Sequence, residues 1–149
     1  MRTLIKHQTQ LTPVGCPLAV LAMLTDTPQD DLFNENIPYQ FSLDTMLAEL
    51  TKRVSTRWKP TLAMDRLTPG FIYVLAVPAL HATPGGMHLV ILDFNYNQDI
   101  TVIDPSYKYR YGYEQTNPDV TPLIGWCPVF SIPRDHYEET IRIKRKYLD

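Results

Sequence analysis

The segment "MHLVILDFNYNQDITVID", residues 87–104, sets two apolar, β-branched runs on either side of "NYNQ" and reads as an antiparallel hairpin, with strands over 87–94 and 99–104. Its register matters chemically. With a three-residue loop, Asn95 to Asn97, and Asn97 in the left-handed conformation such loops use, Phe94 pairs with Gln98 and His88 falls opposite Asp104. Both side chains then share one face. A four-residue loop, Asn95 to Gln98, would set Leu89 opposite Asp104 and send His88 to the other face.

Outward from this hairpin, "FIYVLAV" at 71–77 follows the turn signal "TPG" and is apolar without alternation, as expected of a central strand covered on both faces. "WCPVFSI" at 126–132 is a further strand, placed at an edge or a bulge because Pro128 cannot donate to a ladder. On the N-terminal side the period changes to that of helices. Ser42 is an N-cap for a helix whose stripe is Leu43, Met46, Leu47, Leu50 and Val54, and that stripe is core. "PLAVLAML", 17–24, is a helix that starts at Cys16 or Pro17 and fades at "TDTPQDD". Helices first and strands later give an α+β domain. No repeat, Gly/Ser linker or low-complexity tract divides the chain, so 1–149 reads as a single domain.

At 149 residues and 44% hydrophobic, that domain has enough chain for a core of its own. A formal net charge of −2 provides no basic field to attract nucleic acid or anionic lipid. Neither Cys16 nor Cys127 belongs to a closely spaced pair of the kind that holds zinc or a disulfide framework, so both read as separate thiols in a reducing compartment. No signal peptide and no apolar span of membrane length is recognisable. The expectation is a soluble cytoplasmic protein.

Cys16 stands where a helix begins, and unpaired N–H groups there, with the helix dipole, favour a thiolate. The plain alternative is a small buried hydrophobe. A nucleophilic thiol needs an imidazole. His7, in a polar stretch, and His136, in a charged tail, read as solvated; His81 lies in a loop; His88 opens an apolar strand after Gly85 and Gly86. In the three-residue register Asp104 accepts from one nitrogen of His88 while the other takes the Cys16 proton. The Cys16 N–H and the Gln10 amide supply donors for a developing oxyanion, and Gly15 lets the chain turn closely.

This set resembles a papain-like cysteine peptidase and is most similar to the C39 peptidases, the bacteriocin-processing domains that cut leader peptides after a double glycine. The likeness lies in "QLTPVGC" from Gln10 to Cys16, the helix "PLAVLAML", the strand-opening histidine of "GGMHLVILDF" and the Asp-Pro of "ITVIDPS", together about a third of the chain. It implies a papain-like fold, peptide or isopeptide hydrolysis through a thioester, a peptide or protein substrate and no cofactor. By motif, Gln10 lines the oxyanion hole, Cys16 is the nucleophile, His88 the base and Asp104 the orienting residue. Two departures stand out: Pro17 replaces the glycine that commonly follows the cysteine, and no membrane or nucleotide-binding domain is attached, so cleavage coupled to export is not expected.

Two other functions fit the same residues: acyl transfer, as in a transglutaminase-like enzyme in which an amine resolves the thioester, and an inert papain-fold module that binds a peptide, protein or nucleic acid. "YKYRYGY", 107–113, alternates tyrosine with cations, a pattern that can stack bases but reads first as a strand with packed tyrosines, or as a wall of the cleft. "ETIRIKRKYLD" reads as a solvated basic stretch, and Cys127 as structural.

Overall fold

A computed structural model describes residues 3–12, 14–61, 66–78, 87–97, 99–105 and 126–148. His81 and the "YKYRYGY" segment lie outside the described residues. In chain order the elements are helices α1 (Cys16–Thr25), α2 (Gln29–Asn34) and α3 (Leu43–Arg53), strands β1 (Lys59–Pro60), β2 (Phe71–Pro78), β3 (Met87–Phe94), β4 (Ile100–Ile103) and β5 (Cys127–Pro133), and helix α4 (Arg134–Leu148). The class is α+β. The strands form one antiparallel sheet in the order β1-β5-β2-β3-β4, with the apolar β2 at its centre.

Alternation along the strands divides the core in two. Ile72, Val74, Ala76, Leu89, Ile91, Ile103, Phe130 and Ile132 pack with α1, α2, α3 and α4. Tyr73, Leu75, Val77, Val90, Leu92, Phe94 and Val102 form a second buried cluster with Leu67, Phe71 and Trp126. In α3, Met46 and Leu50 are fully buried while Leu43, Leu47 and Val54 pack at the margin; the Thr45 N–H donates to Ser42 Oγ at 3.2 Å, the expected cap. Pro128 sits at a bulge: Val74 pairs with Phe130 and Leu75 with Pro128, so Val129 is the extra residue on β5.

The hairpin register differs from the three-residue loop. Phe94 pairs with Ile100 and Ile91 with Ile103, and the Asn95 N–H donates to Asp99 O at 2.8 Å. The wider loop is built by its own side chains, with the Tyr96 N–H on Asn95 Oδ1 and the Asp99 N–H on Asn97 Oδ1. Tyr96 also lies over Gly70, whose φ of +92° and contact with the ring leave no room for a Cβ. The shift is by two residues, so His88 stays in the row that Asp104 extends.

Two further differences concern the helices. Helix α1 ends at Thr25 on a left-handed Asp26, within the stretch where the sequence ends it, but the unexpected helix α2 begins at Gln29 in the same stretch. The C-terminal stretch is not a solvated tail but helix α4, with Tyr137 and Ile141 buried in the core. Arg134, also buried, donates from Nε to Asp93 Oδ1 at 2.6 Å and from Nη1 to Glu138 Oε1 at 2.7 Å.

Helix α4 supplies donors to the C-terminal end of α1. Helix α1 is apolar on all sides and buried from Leu18 to Thr25, so its last four carbonyls cannot turn to water. Ala22 O accepts from the Thr27 N–H at 3.0 Å and Met23 O from the Asp26 N–H at 3.3 Å. Leu24 O accepts from the Tyr137 hydroxyl at 2.8 Å, and Thr25 O from Lys144 Nζ, which also reaches Thr27 Oγ1 at 2.9 Å. Arg145 clamps the Asp26 carboxylate with Nε and Nη2 at 2.9 and 3.0 Å, and this hydrogen-bonded pairing holds the Asp26 carboxyl below the usual range. Tyr137→Phe keeps the packing and strands the buried Leu24 carbonyl, a loss of about 1–2 kcal/mol. Equilibrium urea unfolding is expected to show a lower midpoint with an unchanged slope; an unchanged midpoint would contradict this role.

Candidate active site

Cys16 is the first residue of α1, and its N–H, by position, has no intrahelical acceptor. Pro17 has no N–H, the Leu18 N–H donates to Tyr39 O at 3.3 Å, and the Ala19 N–H closes on Gly15 O at 3.2 Å. The chain reaches this helix through a tight turn in which the Gly15 N–H donates to Thr12 O at 3.1 Å. A Cβ on Gly15 would lie 2.9 Å from Thr12 Oγ1, so the glycine is there for space, not for a positive φ. The Cys16 thiol is buried and both cysteines are free. Cys127 is half-buried on β5, with its sulfur 3.7 Å from Pro128 O.

His88 is the second residue of β3 and Asp104 the first beyond β4, so both stand where the ladder ends. His88 Nε2 meets Asp104 Oδ1 at 2.6 Å; the ring is mostly buried and the carboxylate wholly so. Burial alone would push the imidazole down in pKa. Hydrogen bonds to Asp104 and to Cys16, reinforced by the charge on each, outweigh it and raise His88 to about 9. The ring lies between a carboxylate and a sulfur, both of which favour its protonated form. With Nε2 committed to Asp104, Nδ1 is the nitrogen left to face the thiol.

Gln10 is buried, and its Nε2 donates to Thr12 O at 2.9 Å, which fixes the amide beside the turn that leads into Cys16. Its own N–H donates to Pro105 O at 2.8 Å. The four residues singled out in the sequence therefore share one locality: Gln10 is tied to the segment after Asp104, Asp104 to His88, and His88 to Cys16.

The two histidines read as solvated are both engaged. His7 Nε2 lies 2.8 Å from Asp104 O, and His136 Nε2 lies 2.7 Å from Ser55 Oγ. No local pattern announces the first contact, which joins residues 97 positions apart. For His136 the signal was the helical spacing of Tyr137 and Ile141, which places it on a packed helix.

No family model, curated protein or solved structure matches the chain. Among the described residues, no helix is long and apolar enough to cross a membrane. The chemistry available is that of a thiol whose proton can pass to an imidazole held by a buried carboxylate at the positive end of a helix.

The His88 interaction carries a definite pH signature. A folded-state value of about 9 lies above the ordinary 6.5, so the stabilisation is complete below pH 6.5 and is lost as pH rises through 9. His88→Gln should therefore show its largest stability deficit near pH 6.5, shrinking by roughly 1 kcal/mol or more by about pH 9.5. Urea unfolding of both proteins across that range gives the difference directly, and a deficit independent of pH would contradict the charged pair.

Proposed function

We propose that the protein is a thiol hydrolase that cleaves a peptide or isopeptide bond through Cys16, His88 and Asp104. The observation that carries the reading is that one imidazole engages both the buried Asp104 carboxylate and the thiol at the first position of a helix. A structural cysteine has no need of a charged partner, whereas a nucleophile requires one.

The steps follow from where the protons are. Cys16 Sγ attacks the carbonyl carbon as the thiolate, and negative charge moves onto the carbonyl oxygen, where the Cys16 N–H and the Gln10 amide stabilise it. The C–N bond breaks, the leaving amine takes the His88 proton, and a thioester remains on Cys16. His88, now neutral, removes a proton from water as that water attacks the thioester. The carboxylic acid leaves, and thiolate and imidazolium are restored. Asp104 keeps the ring in place and stabilises its charged form without itself taking the proton.

The order Gln10, Cys16, His88, Asp104 supports assignment to the papain-like peptidases, with C39 as the nearest likeness. Helices before an antiparallel sheet are compatible with that fold, and free thiols suit a reducing compartment. Under this reading Pro17, in place of the usual glycine, narrows the approach to the sulfur from the helix side.

Iodoacetamide alkylation of Cys16 against pH, with Cys127→Ser as the common background, tests the reading. A rate plateau extending well below about pH 8, abolished by His88→Ala, is the expected result. A single titration near about pH 8.5, indifferent to His88, would overturn the hydrolase.

A further inference from the structure

Asp104 and Pro105 form the corner at which β4 ends. The Asp104 carboxylate, one residue past the end of β4, lies 2.6 Å from a ring on a different strand. Pro105, which follows, restricts Asp104 to extended conformations but has no N–H to donate. Two contacts reach this corner from the other end of the chain. His7 reaches Asp104 O at 2.8 Å, and the Gln10 N–H reaches Pro105 O at 2.8 Å, so two consecutive carbonyls after β4 are taken by the segment that leads to Cys16. A carbonyl can only accept, so His7 Nε2 carries the hydrogen in that contact.

The segment bearing His7 is itself anchored on both sides. Ile5 is buried in the core, and Arg145 donates to Leu4 O at 2.7 Å. The Gln8 side chain donates to Thr27 O at 2.8 Å and accepts from the Gln29 N–H at 3.2 Å, while Gln29 Nε2 donates to Thr9 O at 2.8 Å. The His7 ring is thus presented by a strap pinned to α2 and α4, and the end of β4 is steadied against it.

We propose that His7 is a positioning residue for the candidate active site: by donating to the Asp104 carbonyl, it holds the Asp104 carboxylate against His88. The inference rests on the Cys16, His88 and Asp104 site described above, but not on what that site does. It distinguishes the two engaged imidazoles by role, since His88 meets the carboxylate and faces the thiol, whereas His7 meets only the backbone of the residue that orients it.

The readout is the titration of the His88 imidazole by NMR, assigned with His88→Gln, in the native protein and in His7→Ala, His7→Asn and His7→Gln. Glutamine can place an amide N–H near the position of the imidazole Nε2, whereas asparagine is too short. The native ring is expected to titrate near 9. His7→Asn and His7→Ala should bring it down by about one pH unit, toward the free-imidazole range, as the carboxylate loses its fixed orientation, and His7→Gln should restore it. A merely structural contact would lower stability in all three variants alike and leave the titration in place. Should His7→Ala fail to fold, the Asn and Gln variants still decide. An unchanged His88 titration in His7→Asn overturns the proposal whatever the alkylation experiment shows. A shifted titration with no low-pH alkylation plateau in the native protein retains the positioning role and removes the hydrolase.

Discussion

A helix that is apolar on every side can be stable only where the rest of the chain surrounds it and satisfies both its ends. Helix α1 imposes that requirement here, and much of the fold is a response to it. The sheet supplies one wall through Leu89 and Ile91, α2 and α3 supply others, and α4 brings Tyr137 and Lys144 to the C-terminal carbonyls that water would otherwise have to reach. The costs of burying the polar groups concerned are visible in their ionisation. Burial pushes Lys144 down and Tyr137 up, and both are nonetheless retained because each donates to an α1 carbonyl.

The two ends of α1 are treated differently, and chemistry becomes available at the less saturated one. At the C-terminus all four final carbonyls are occupied, two of them by side chains from α4. At the N-terminus Gly15 makes no side-chain cap and Pro17 removes a donor, so the first-turn amides that remain are few and one of them belongs to Cys16. A cysteine in that position feels the positive end of a helix whose far end already has a cation, Lys144, on its last carbonyl. The same strap that connects Arg145 to Leu4 O continues to His7 and Gln10, so the two ends of α1 are linked through the N-terminal segment as well as through the helix itself.

The strands were legible because their apolar runs are unbroken, and β3 has the bounds that its sequence suggests. The start of α1 was legible from Cys16 and Pro17, and that of α3 from Ser42. Helix α4 was not, because its charged residues suggested water, whereas Arg134, Lys144 and Arg145 spend their donors inside the protein. Strand β1 has only two residues and α2 only six, too short for any period to register. Of the candidate site, residue types and order were readable from local context, but the His7 contact was not, since backbone recognition by a distant side chain leaves no spacing to detect.

The hairpin shows how a sequence argument can miss a pairing and still hold at the site. Side chains along a strand alternate, so what matters for His88 and Asp104 is the parity of the register and not its value. A three-residue loop would put them opposite each other; the observed pairing of Phe94 with Ile100 displaces them by two positions, and the row is the same. Only a displacement by one would separate them. The loop has a contact of its own, the Tyr96 ring over Gly70. Loop and site thus answer to different constraints, and parity is the only quantity they must share. Once parity is met, the site tolerates the diagonal offset: Asp104, the first residue past β4, meets His88 through its carboxylate and His7 through its carbonyl.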